Sequence, residues 1–487
     1  MTSYAALLQS VMDDTLACQD ESSPEFASRR SGAYPPLGGF IEGGYPTTDA
    51  ALDAVAQIAD RFRKNDPALE RAVSRDEWRM AVSHCLGRNL DDLLREPDLR
   101  ARWTALRADL QRSAAALGLD LMHHVPAWVF IGQEAAPFVV GPVEFVPRTA
   151  WPDQVALRMG ADPPWRAPLK RIWAERRVPK GPVVAGLRSL LDAVRRRQLR
   201  PSTVARTFSG GRDFSLPENV ANARSLASLI HHDQWVACAH VTGFSRDESN
   251  RRGLLAARVA LDTVRLTIQR GHRHLLSTAA DSVPPLAVNG LSQLPNRDVS
   301  RRWRINRPGV SGPPGLAAQI IASGAGLFAA AGRCIDAATE VTPTHKCPEL
   351  AERWFNACHW FGRACLADAD FTAVVMLVIS LDVLSGGLME KGIVELIARL
   401  VDIPASQQVL PGMNLRQLVA RMYKLRSEVA HGSVLAVHGQ LDVERGQLED
   451  LAAIAIAEYA LRLDSYAAGG GSDDRDDFRN SLPAFRP

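Results

Sequence analysis

Near its C-terminal end the chain carries an arginine and a histidine whose spacing is suited to chemistry on a phosphate. They are Arg426 and His431, in the stretch NLRQLVARMYKLRSEVAHG at positions 414–432. An imidazole can act as general base or acid near neutral pH, and a guanidinium offers fixed hydrogen-bond donors to an oxyanion. RNA brings its own nucleophile, the 2′-hydroxyl beside the scissile phosphate. An Arg–His pair therefore has the chemistry for RNA cleavage without a metal or another cofactor.

The pattern around this pair predicts one amphipathic helix. Asn414 and Gln417 have the spacing of a capping box, and Gly432 has the position of a residue just past a helix C-terminus. Five residues turn a helix by ~500°, which leaves the side chains of Arg426 and His431 ~140° apart. They can converge only at a loosened helix end, or on something that lies across it. The predicted buried stripe consists of Leu415, Leu418, Val419, Met422, Leu425 and Val429.

An Arg-x4-His motif at a helix end, inside a helical C-terminal region, resembles the HEPN superfamily and its Apea-like branch. The resemblance covers roughly residues 313–468, about a third of the chain. Members of this family are typically metal-independent RNases or RNA-binding modules, often in phage defence or toxin–antitoxin systems, and relatives pair as dimers. The resemblance therefore implies RNA as a partner and a homodimer that shares its site. The residues that carry it are Tyr423, Arg426, Ser427, His431 and Gly432.

The resemblance also implies roles for individual residues. Arg426 and His431 are expected to be catalytic, while Tyr423, one turn earlier, and Ser427 are expected to be accessory contacts to phosphate or ribose. Asp382 lies on the apolar stretch VVMLVISLDVLSGG, where this branch has an acidic residue. Because a buried carboxylate without a partner is unstable, we expect Asp382 to pair with Arg426 and to orient it. A purely structural Asp–Arg pair is the open alternative.

Three classes of function are compatible with these features. The first is a metal-independent endoribonuclease of HEPN type, acting in defence or stress response. The second is a catalytically silent HEPN module that binds RNA or scaffolds a partner, and the third is an unrelated enzyme with its site in residues 119–295. The intact Arg–His pair favours the first class over the second. The third is disfavoured because the middle region contains no phosphate-binding glycine loop or dinucleotide fingerprint.

Positive charge is concentrated in one segment of an otherwise balanced chain. The net charge is only +3, whereas residues 166–212 carry 13 Lys or Arg against two acidic residues, a local balance of 13 − 2 = +11. We expect Arg195, Arg196, Arg197 and Arg200 to bind an RNA backbone, since guanidinium groups bind phosphates in a bidentate manner. A solvated helix and loop is the alternative.

Aromatic residues accompany the basic residues. Trp165 and Trp173 lie at the start of the basic segment, where they could stack on bases. A second group of arginines surrounds Trp303 at positions 297–307, in a connector bounded by prolines. These arginines would extend a positive rim toward the C-terminal site if the connector folds back. Both features are consistent with RNA as the partner.

The composition is that of a globular protein from a reducing compartment. A chain of 487 residues with 46% apolar content has enough core for two or three domains. Its seven cysteines are odd in number, and Asp13 and Asp14 fall where a signal peptide is apolar. The uncharged run at 313–332 contains prolines and glycines, which favours a buried helix over a membrane span. We therefore expect a cytoplasmic protein without a membrane segment.

Two sets of potential metal ligands have simpler interpretations. His123 and His124 are neighbours on a predicted strand, so their side chains point to opposite faces and structural roles are expected. A second set mixes histidines and cysteines, but several of its members belong to an apolar helix. For these we expect core residues rather than a zinc site. The second set is His345, Cys347, Cys358, His359 and Cys365.

Hydrophobic periodicity predicts an α+β multidomain fold that is mainly α-helical. Residues 1–118 are predicted to form a helical N-terminal region, and residues 119–310 a mixed α+β domain that includes the basic segment and the connector. Residues 311–468 are predicted to form the HEPN-like helical bundle. Residues 469–487 are acidic and rich in glycine, and we expect them to be a disordered tail.

Local signals place several helices within these regions. A helix at about 249–269 should begin at a capping box formed by Ser245 and Glu248. In the C-terminal region the apolar residues recur at helical spacing over most of the length. The helices predicted there span residues 314–339, 347–367, 369–388, 390–401, 414–431 and 446–467.

Overall fold

The computed structural model has many helices and one five-stranded antiparallel sheet, so the protein is mainly helical with α+β character, as predicted. Most of the basic segment lies outside the described residues. The structure describes residues 3–19, 22, 40–41, 45–132, 135–174, 218–230, 234–281, 287–293, 299–305, 308–431 and 441–487.

The N-terminal region consists of helices around a hydrophobic core of its own. Four of them begin after a residue whose side chain accepts a hydrogen bond from a first-turn backbone N–H, namely Thr48, Asp66, Ser74 and Asp98. In the core the fully buried indole of Trp78 donates to a backbone carbonyl at 3.0 Å. The elements are α1 (Tyr4–Gln19), β1 (Phe40–Ile41), β2 (Tyr45–Pro46), α2 (Asp49–Lys64), α3 (Pro67–Ala72), α4 (Arg75–Arg95) and α5 (Leu99–Leu117).

The five-stranded sheet is the centre of the middle region. Its elements are β3 (Leu119–Trp128), β4 (Phe138–Val140), β5 (Val143–Pro147), α6 (Trp151–Met159), α7 (Arg166–Ala174), α8 (Glu218–Leu229), β6 (Trp235–Phe244), α9 (Arg246–Leu266), α10 (Arg270–Arg273), β7 (Ser277–Thr278), β8 (Ala287–Gln293) and β9 (Val299–Ile305). The strand order is β4-β5-β6-β3-β7, with every neighbouring pair antiparallel.

Both faces of this sheet are covered, as the alternation of side chains along β6 shows. Ala237 and Ala239 belong to the large hydrophobic core, on the face where α9 packs. Val236 and Cys238 point the other way, into a smaller cluster supplied by α6, α7 and α8. The start of the basic segment is therefore attached to the sheet face opposite α9.

Helix α9 is capped by the N-terminal region rather than by its own sequence. Ser245 occupies the N-cap position, yet its hydroxyl makes no cap hydrogen bond and donates to the carboxylate of Glu77 in α4. The other carboxylate oxygen of Glu77 accepts the backbone N–H of Asp247 at 2.9 Å. Glu248 pairs with two arginines of its own helix. The predicted Ser245–Glu248 capping box is therefore wrong, because a charged acceptor from a distant helix replaces it.

The arginine-rich connector forms part of a hairpin instead of an irregular link. Strands β8 and β9 pair antiparallel, with Arg302 opposite Gly290 and Arg304 opposite Val288. The pairing depends on a partner strand that lies earlier in the chain, so the composition of the connector alone does not indicate it. The second arginine cluster is thus placed largely on one strand of a two-stranded sheet.

The C-terminal region contains a helix at each predicted place. A short hairpin precedes the fifth helix, and an additional helix follows the sixth. The elements are α11 (Leu316–Thr339), α12 (Pro348–Cys365), α13 (Asp370–Ser385), α14 (Met389–Val401), β10 (Gln408–Leu410), β11 (Met413–Asn414), α15 (Leu415–Ala430), α16 (Asp442–Ala468) and α17 (Arg475–Ser481).

One hydrophobic core continues from the sheet into the C-terminal helices. The rings of Phe138 in β4 and Phe328 in α11 have centroids 6.0 Å apart. The β4–β5 turn and α11 approach so closely that a Cβ on Gly332 would lie 2.4 Å from the backbone nitrogen of Gly141. The predicted domain boundary after residue 310 therefore falls inside a shared core.

The last residues form an ordered part of the bundle, and the predicted disordered tail at 469–487 is wrong. Phe478 is 1% exposed, and its ring makes edge contacts with Tyr459 and Tyr466. Asp473 caps α12 by accepting the backbone N–H groups of Glu349 and Leu350 at 2.8 and 3.1 Å. The acidic composition predicted disorder. In the structure Asp473 caps α12, and the buried ring of Phe478 anchors the last residues to the bundle.

Helix α11 is the one described helix that is long and apolar enough to cross a membrane by length and composition. Helices α13 and α14 pass the same criterion only when taken together, and they meet at an angle of 71°. The larger apolar residues of α11 pack against the core, as is usual for a core helix that passes this criterion. They include Ile320, Ile321, Leu327 and Phe328.

Candidate functional site

The helix that carries the Arg–His pair begins where the sequence predicts. Asn414 is the N-cap of α15, and its side chain accepts the backbone N–H of Gln417 at 2.9 Å. The side chain of Gln417 accepts the backbone N–H of Asn414 at 3.0 Å, which completes the capping box. The first half of the helix is anchored by buried residues. They are Leu415, Leu418, Val419 and Met422.

The second half of α15 is much less covered. Leu425 and Val429, the last two members of the predicted apolar stripe, are only half-buried. Tyr423, Arg426 and Ser427 are also half-buried, and His431 at the C-cap is exposed. The accessory and catalytic candidates therefore lie together on the partly exposed end of a well-anchored helix.

Arg426 is a cation without a carboxylate partner among the described residues. Its guanidinium carbon lies 5.9 Å from the ring centroid of Tyr423, one turn earlier, which is within the range of a cation–π contact. The nearby carboxylates pair elsewhere, since Glu428 lies 3.7 Å from Lys424 and Glu444 lies 2.5 Å from Arg421. The charge of Arg426 is therefore available to an anion.

His431 lies at the point where the helix ends. Its backbone N–H donates to the carbonyl of Ser427 at 2.9 Å, while its own φ and ψ of −91° and 1° depart from helical values. The helix loosens here. On an ideal helix the two side chains would diverge by ~140°, so this loosening is needed if they are to approach one target. Gly432, the predicted residue past the C-cap, is outside the described residues.

Asp382 lies on a helix that packs against α15, but its carboxylate has another partner. It is half-buried near the end of α13, and its Oδ1 accepts the backbone N–H of Met389, the first residue of α14, at 3.0 Å. No ion pair joins it to Arg426, although both residues are within the described part of the chain. Asp382 thus holds the turn between α13 and α14, and both of these helices pack against α15.

The predicted RNA-binding arginines cannot be placed. Arg195, Arg196, Arg197 and Arg200 belong to the part of the basic segment outside the described residues. At its described start, in α7, two of the three cations are already paired. Arg166 lies 2.5 Å from Asp153 and 3.0 Å from Asp162, and Lys170 lies 2.6 Å from Asp153. Hydrogen bonds from Lys170 and Arg166 hold the pKa of Asp153 below its usual value.

The two tryptophans of this segment take part in protein packing. Trp165 stacks on Trp151 with ring centroids 5.5 Å apart and planes at 19°. The guanidinium carbon of Arg148 lies 4.2 Å from the ring centroid of Trp173. One face of each indole is therefore used inside the small cluster on the sheet, which weakens the hypothesis that these rings stack on bases.

The paired histidines on β3 do point to opposite faces, and each has a structural partner. His123 Nε2 lies 2.7 Å from the hydroxyl of Ser249. The indole N–H of Trp151 donates to His124 Nδ1 at 3.1 Å, and the thiol of Cys238 lies 3.3 Å from the same nitrogen. Burial and the nearby Arg158 lower the pKa of His124 to about 4. The ring is therefore neutral at physiological pH.

The cysteines lie in the hydrophobic core as free thiols. Burial raises the pKa values of Cys334, Cys358 and Cys365 far above their ordinary value, so these thiols are inert as nucleophiles. Within the residues that the structure describes, no group of three potential metal ligands converges. The burial of Cys347, Cys358 and Cys365 agrees with their interpretation as core cysteines.

Sequence reasoning missed a set of buried ion pairs below the sheet. Asp262 and Arg265, three residues apart on α9, are both buried and form an ion pair. Arg273 on α10 reaches Glu449 on α16 at 3.2 Å, again with both side chains buried. The available signal was an Asp and an Arg three residues apart in the mostly apolar second half of α9. The Arg273–Glu449 pair joins α10 to α16, whereas the Asp262–Arg265 pair lies within α9, and both are structural.

The arrangement at the end of α15 can supply one unpaired guanidinium, one exposed imidazole and an aromatic ring that supports the guanidinium. No family model, no curated protein and no solved structure matches this chain. Function is therefore inferred from the chemistry of these side chains. They suit recognition of a phosphate and transfer of a proton beside it.

Proposed function

We propose that this protein is a metal-independent endoribonuclease of HEPN type. It cleaves RNA by attack of a 2′-hydroxyl on the adjacent phosphate and acts in the cytoplasm, in phage defence or stress response. The observation that supports the proposal is the exposure of Arg426 and His431, together with the lack of a carboxylate partner for Arg426 among the described residues. Both are accessible on the least covered part of a firmly capped helix, and Arg426 has no carboxylate partner in the described part of the chain.

The proposed roles follow from the chemistry of each group. His431 accepts the proton of the 2′-hydroxyl or donates one to the leaving 5′-oxygen, a contribution of roughly 10²–10⁴ in rate. Arg426 donates hydrogen bonds to the phosphate oxygens, on which negative charge increases in the transition state. Tyr423 restrains the guanidinium from one side, and Ser427 is placed to contact phosphate or ribose.

Asp382 receives a different role from the one that the resemblance implies. Since its carboxylate accepts the N–H of Met389, it acts as a positioning residue that fixes the α13–α14 turn. These two helices form the surface on which α15 is packed. Loss of the carboxylate should then misplace the Arg–His pair rather than remove a reacting group.

A homodimer is the proposed working unit. Leu425 and Val429 leave apolar surface half-exposed beside Arg426, and packing of α15 against its two-fold mate would cover it. The same contact would bring two arginines and two histidines to one cleft. One imidazole could then act as base and the other as acid. Arg195, Arg196, Arg197 and Arg200 are proposed to bind the RNA backbone.

A catalytically silent RNA-binding or scaffolding module is the alternative. It is favoured by the absence of an Asp382–Arg426 ion pair among the described contacts. A silent module would still bind RNA, but it would leave the RNA intact. Cleavage of RNA by the purified protein therefore separates the two functions.

The decisive experiment is incubation of the purified protein with total RNA, followed by sequencing of the ends. We expect 2′,3′-cyclic phosphate ends in the presence of EDTA. His431→Ala and Arg426→Ala should each reduce the rate by at least about 10²-fold.

Matched controls are available elsewhere in the chain. His272→Ala removes another exposed histidine at the end of a helix, and Arg416→Ala removes an exposed arginine from the first half of α15. Both variants should keep the wild-type rate. Activity that EDTA abolishes and magnesium restores, or equal rates for His431→Ala and His272→Ala, would refute the proposal.

A further inference from the structure

A cleft lies where the N-terminal helices meet the C-terminal bundle, and it shares no residue with the proposed RNase site on α15. Its volume is about 160 Å³. Helices α9 and α12 and the end of α11 form its walls, and Arg71 of α3 reaches into the same junction. The side chains that give the cleft its chemistry are Arg251, Arg252, Leu255, Glu352 and Phe355.

Three guanidinium groups converge at this cleft. Arg71 lies 2.7 Å from Glu352, and its Nε is buried without a hydrogen-bond partner. Arg252 donates to Glu248 at 2.7 Å and to a carbonyl at the end of α11. Arg251 pairs with the same Glu248, but its side chain is 61% exposed. Three cations thus share two carboxylates, an excess of 3 − 2 = 1 positive charge.

The cations crowd one another. Burial lowers the pKa of Arg252 below its ordinary value, and repulsion from Arg71 and Arg251 acts in the same direction, against the attraction of Glu248. An added anion would relieve this repulsion. Of the two carboxylates, Glu352 is the one that an added anion can displace from its arginine, because its side chain is 39% exposed.

The remaining wall is apolar. Phe355 is 8% exposed and Leu255 is half-buried, so the cleft pairs a cationic side with a hydrophobic floor. A volume of about 160 Å³ corresponds to roughly five water molecules at about 30 Å³ each, more than a phosphate group needs. The space therefore suits a phosphate and the first atoms of an attached apolar group, and the rest of a larger ligand would lie outside the cleft.

We propose that the cleft lined by Arg251, Arg252 and Phe355, with Arg71 beside it, binds a small phosphomonoester such as a nucleoside monophosphate. The phosphate is held by the guanidinium groups, and the organic part lies against Phe355 and Leu255. Because its walls come from α9, α11 and α12 and Arg71 of α3 is paired with the wall residue Glu352, an occupied cleft holds the N-terminal helices to the C-terminal bundle. Binding at this cleft is independent of RNA cleavage at α15.

The test is titration calorimetry of the full-length protein with AMP, inorganic phosphate and adenosine. AMP should bind more tightly than inorganic phosphate, adenosine should not bind measurably, and the AMP affinity should fall as salt rises. Arg251→Ala should weaken AMP binding about 10-fold or more, since it removes a charged donor. Glu352→Gln should strengthen AMP binding, because it removes the competing carboxylate.

The matched control is Arg95→Ala. Arg95 is exposed and pairs with Asp92 three residues earlier on its helix, as Arg251 pairs with Glu248, but it lies on α4 away from the cleft. The AMP affinity of this variant should equal that of the wild type. No binding of AMP at millimolar concentration, equal affinity for AMP and inorganic phosphate, or unchanged affinity in Arg251→Ala would each overturn the proposal.

Discussion

Replacing Glu77 by alanine would remove the carboxylate with which the N-terminal helices hold the start of α9. In the native protein this side chain accepts the backbone N–H of Asp247 at 2.9 Å and the hydroxyl of Ser245, a residue with no exposed surface. The substitution therefore deletes a helix cap and also leaves a buried hydroxyl without its acceptor. Both effects fall on the first turn of α9.

The magnitude can be worked from these two hydrogen bonds. Loss of an N-cap costs about 0.5–2 kcal/mol. A buried donor that loses its acceptor costs about 1–3 kcal/mol. Because the Glu77 carboxylate is partly solvated, the lower half of the combined range applies, about 2–3 kcal/mol. At about 1.4 kcal/mol per factor of ten, amide exchange at Asp247 should accelerate about 30- to 140-fold if it follows this local opening.

Hydrogen exchange read by mass spectrometry on a peptide that covers residues 245–252 measures this directly. Global denaturation is less suitable, because a chain of this size is not expected to unfold in two states. Glu70→Ala is the matched control, since Glu70 is a half-exposed carboxylate of the neighbouring α3 that pairs with Arg63. Unchanged exchange in Glu77→Ala, or an equal change in Glu70→Ala, would show that Glu77 does not cap α9.

The contribution of Glu77 should also depend on pH. Burial acts to raise its pKa, but hydrogen bonds from Ser245, Asp247 and Ser74 outweigh burial, so the pKa is lower than in the unfolded chain. A lowered folded-state pKa adds stability above the unfolded value of about 4.5 and loses it as pH falls toward the folded value. The difference between wild type and Glu77→Gln in the protection of residues 245–252 from hydrogen exchange, corrected for the intrinsic pH dependence of exchange, should therefore be full at pH 7 and shrink below about pH 4.5.

Four further outcomes are expected. Phe478→Ala should lower the stability of the C-terminal bundle by about 3–5 kcal/mol, measured as a lower melting temperature, because the ring is fully packed. Asp382→Asn, which keeps an acceptor for the first turn of α14, should retain more RNase activity than Asp382→Ala; equal losses would assign the carboxylate a direct role. A mixture of Arg426→Ala and His431→Ala proteins should regain activity after subunit exchange if two copies share the site, and a fully active monomer would exclude sharing. Alanine at 195–197 should flatten the salt dependence of RNA binding by about 0.7 for each phosphate that is no longer neutralised, and an unchanged slope would indicate a merely solvated segment.

The sequence alone determined the helix that carries the proposed site. The Asn414–Gln417 capping box and the apolar stripe predicted α15, and the structure contains both the box and the buried first half. The other C-terminal helices were predicted within a few residues for the same reason. Capping and helical periodicity act over three to four residues, so a local stretch of sequence contains all the information that they need.

Only the tertiary structure decided which partners the polar groups take. Ser245 has a local capping partner in sequence, yet its hydroxyl is bound by Glu77, and that carboxylate reaches an N–H 170 residues away along the chain. Asp382 caps α14 instead of pairing with Arg426. The composition of residues 469–487 predicted disorder, but the side chain of Phe478 is buried.

The cleft at Arg71 and Arg251 shows the same limit. Its cations come from two helices that lie far apart in the chain, and no run of basic residues marks either of them as part of one site. A buried hydrogen-bonding group is stabilised by whichever charged or polar group the fold brings within about 3 Å. Which group this is depends on the packing of distant elements, so it cannot be predicted from the spacing of residues in the sequence.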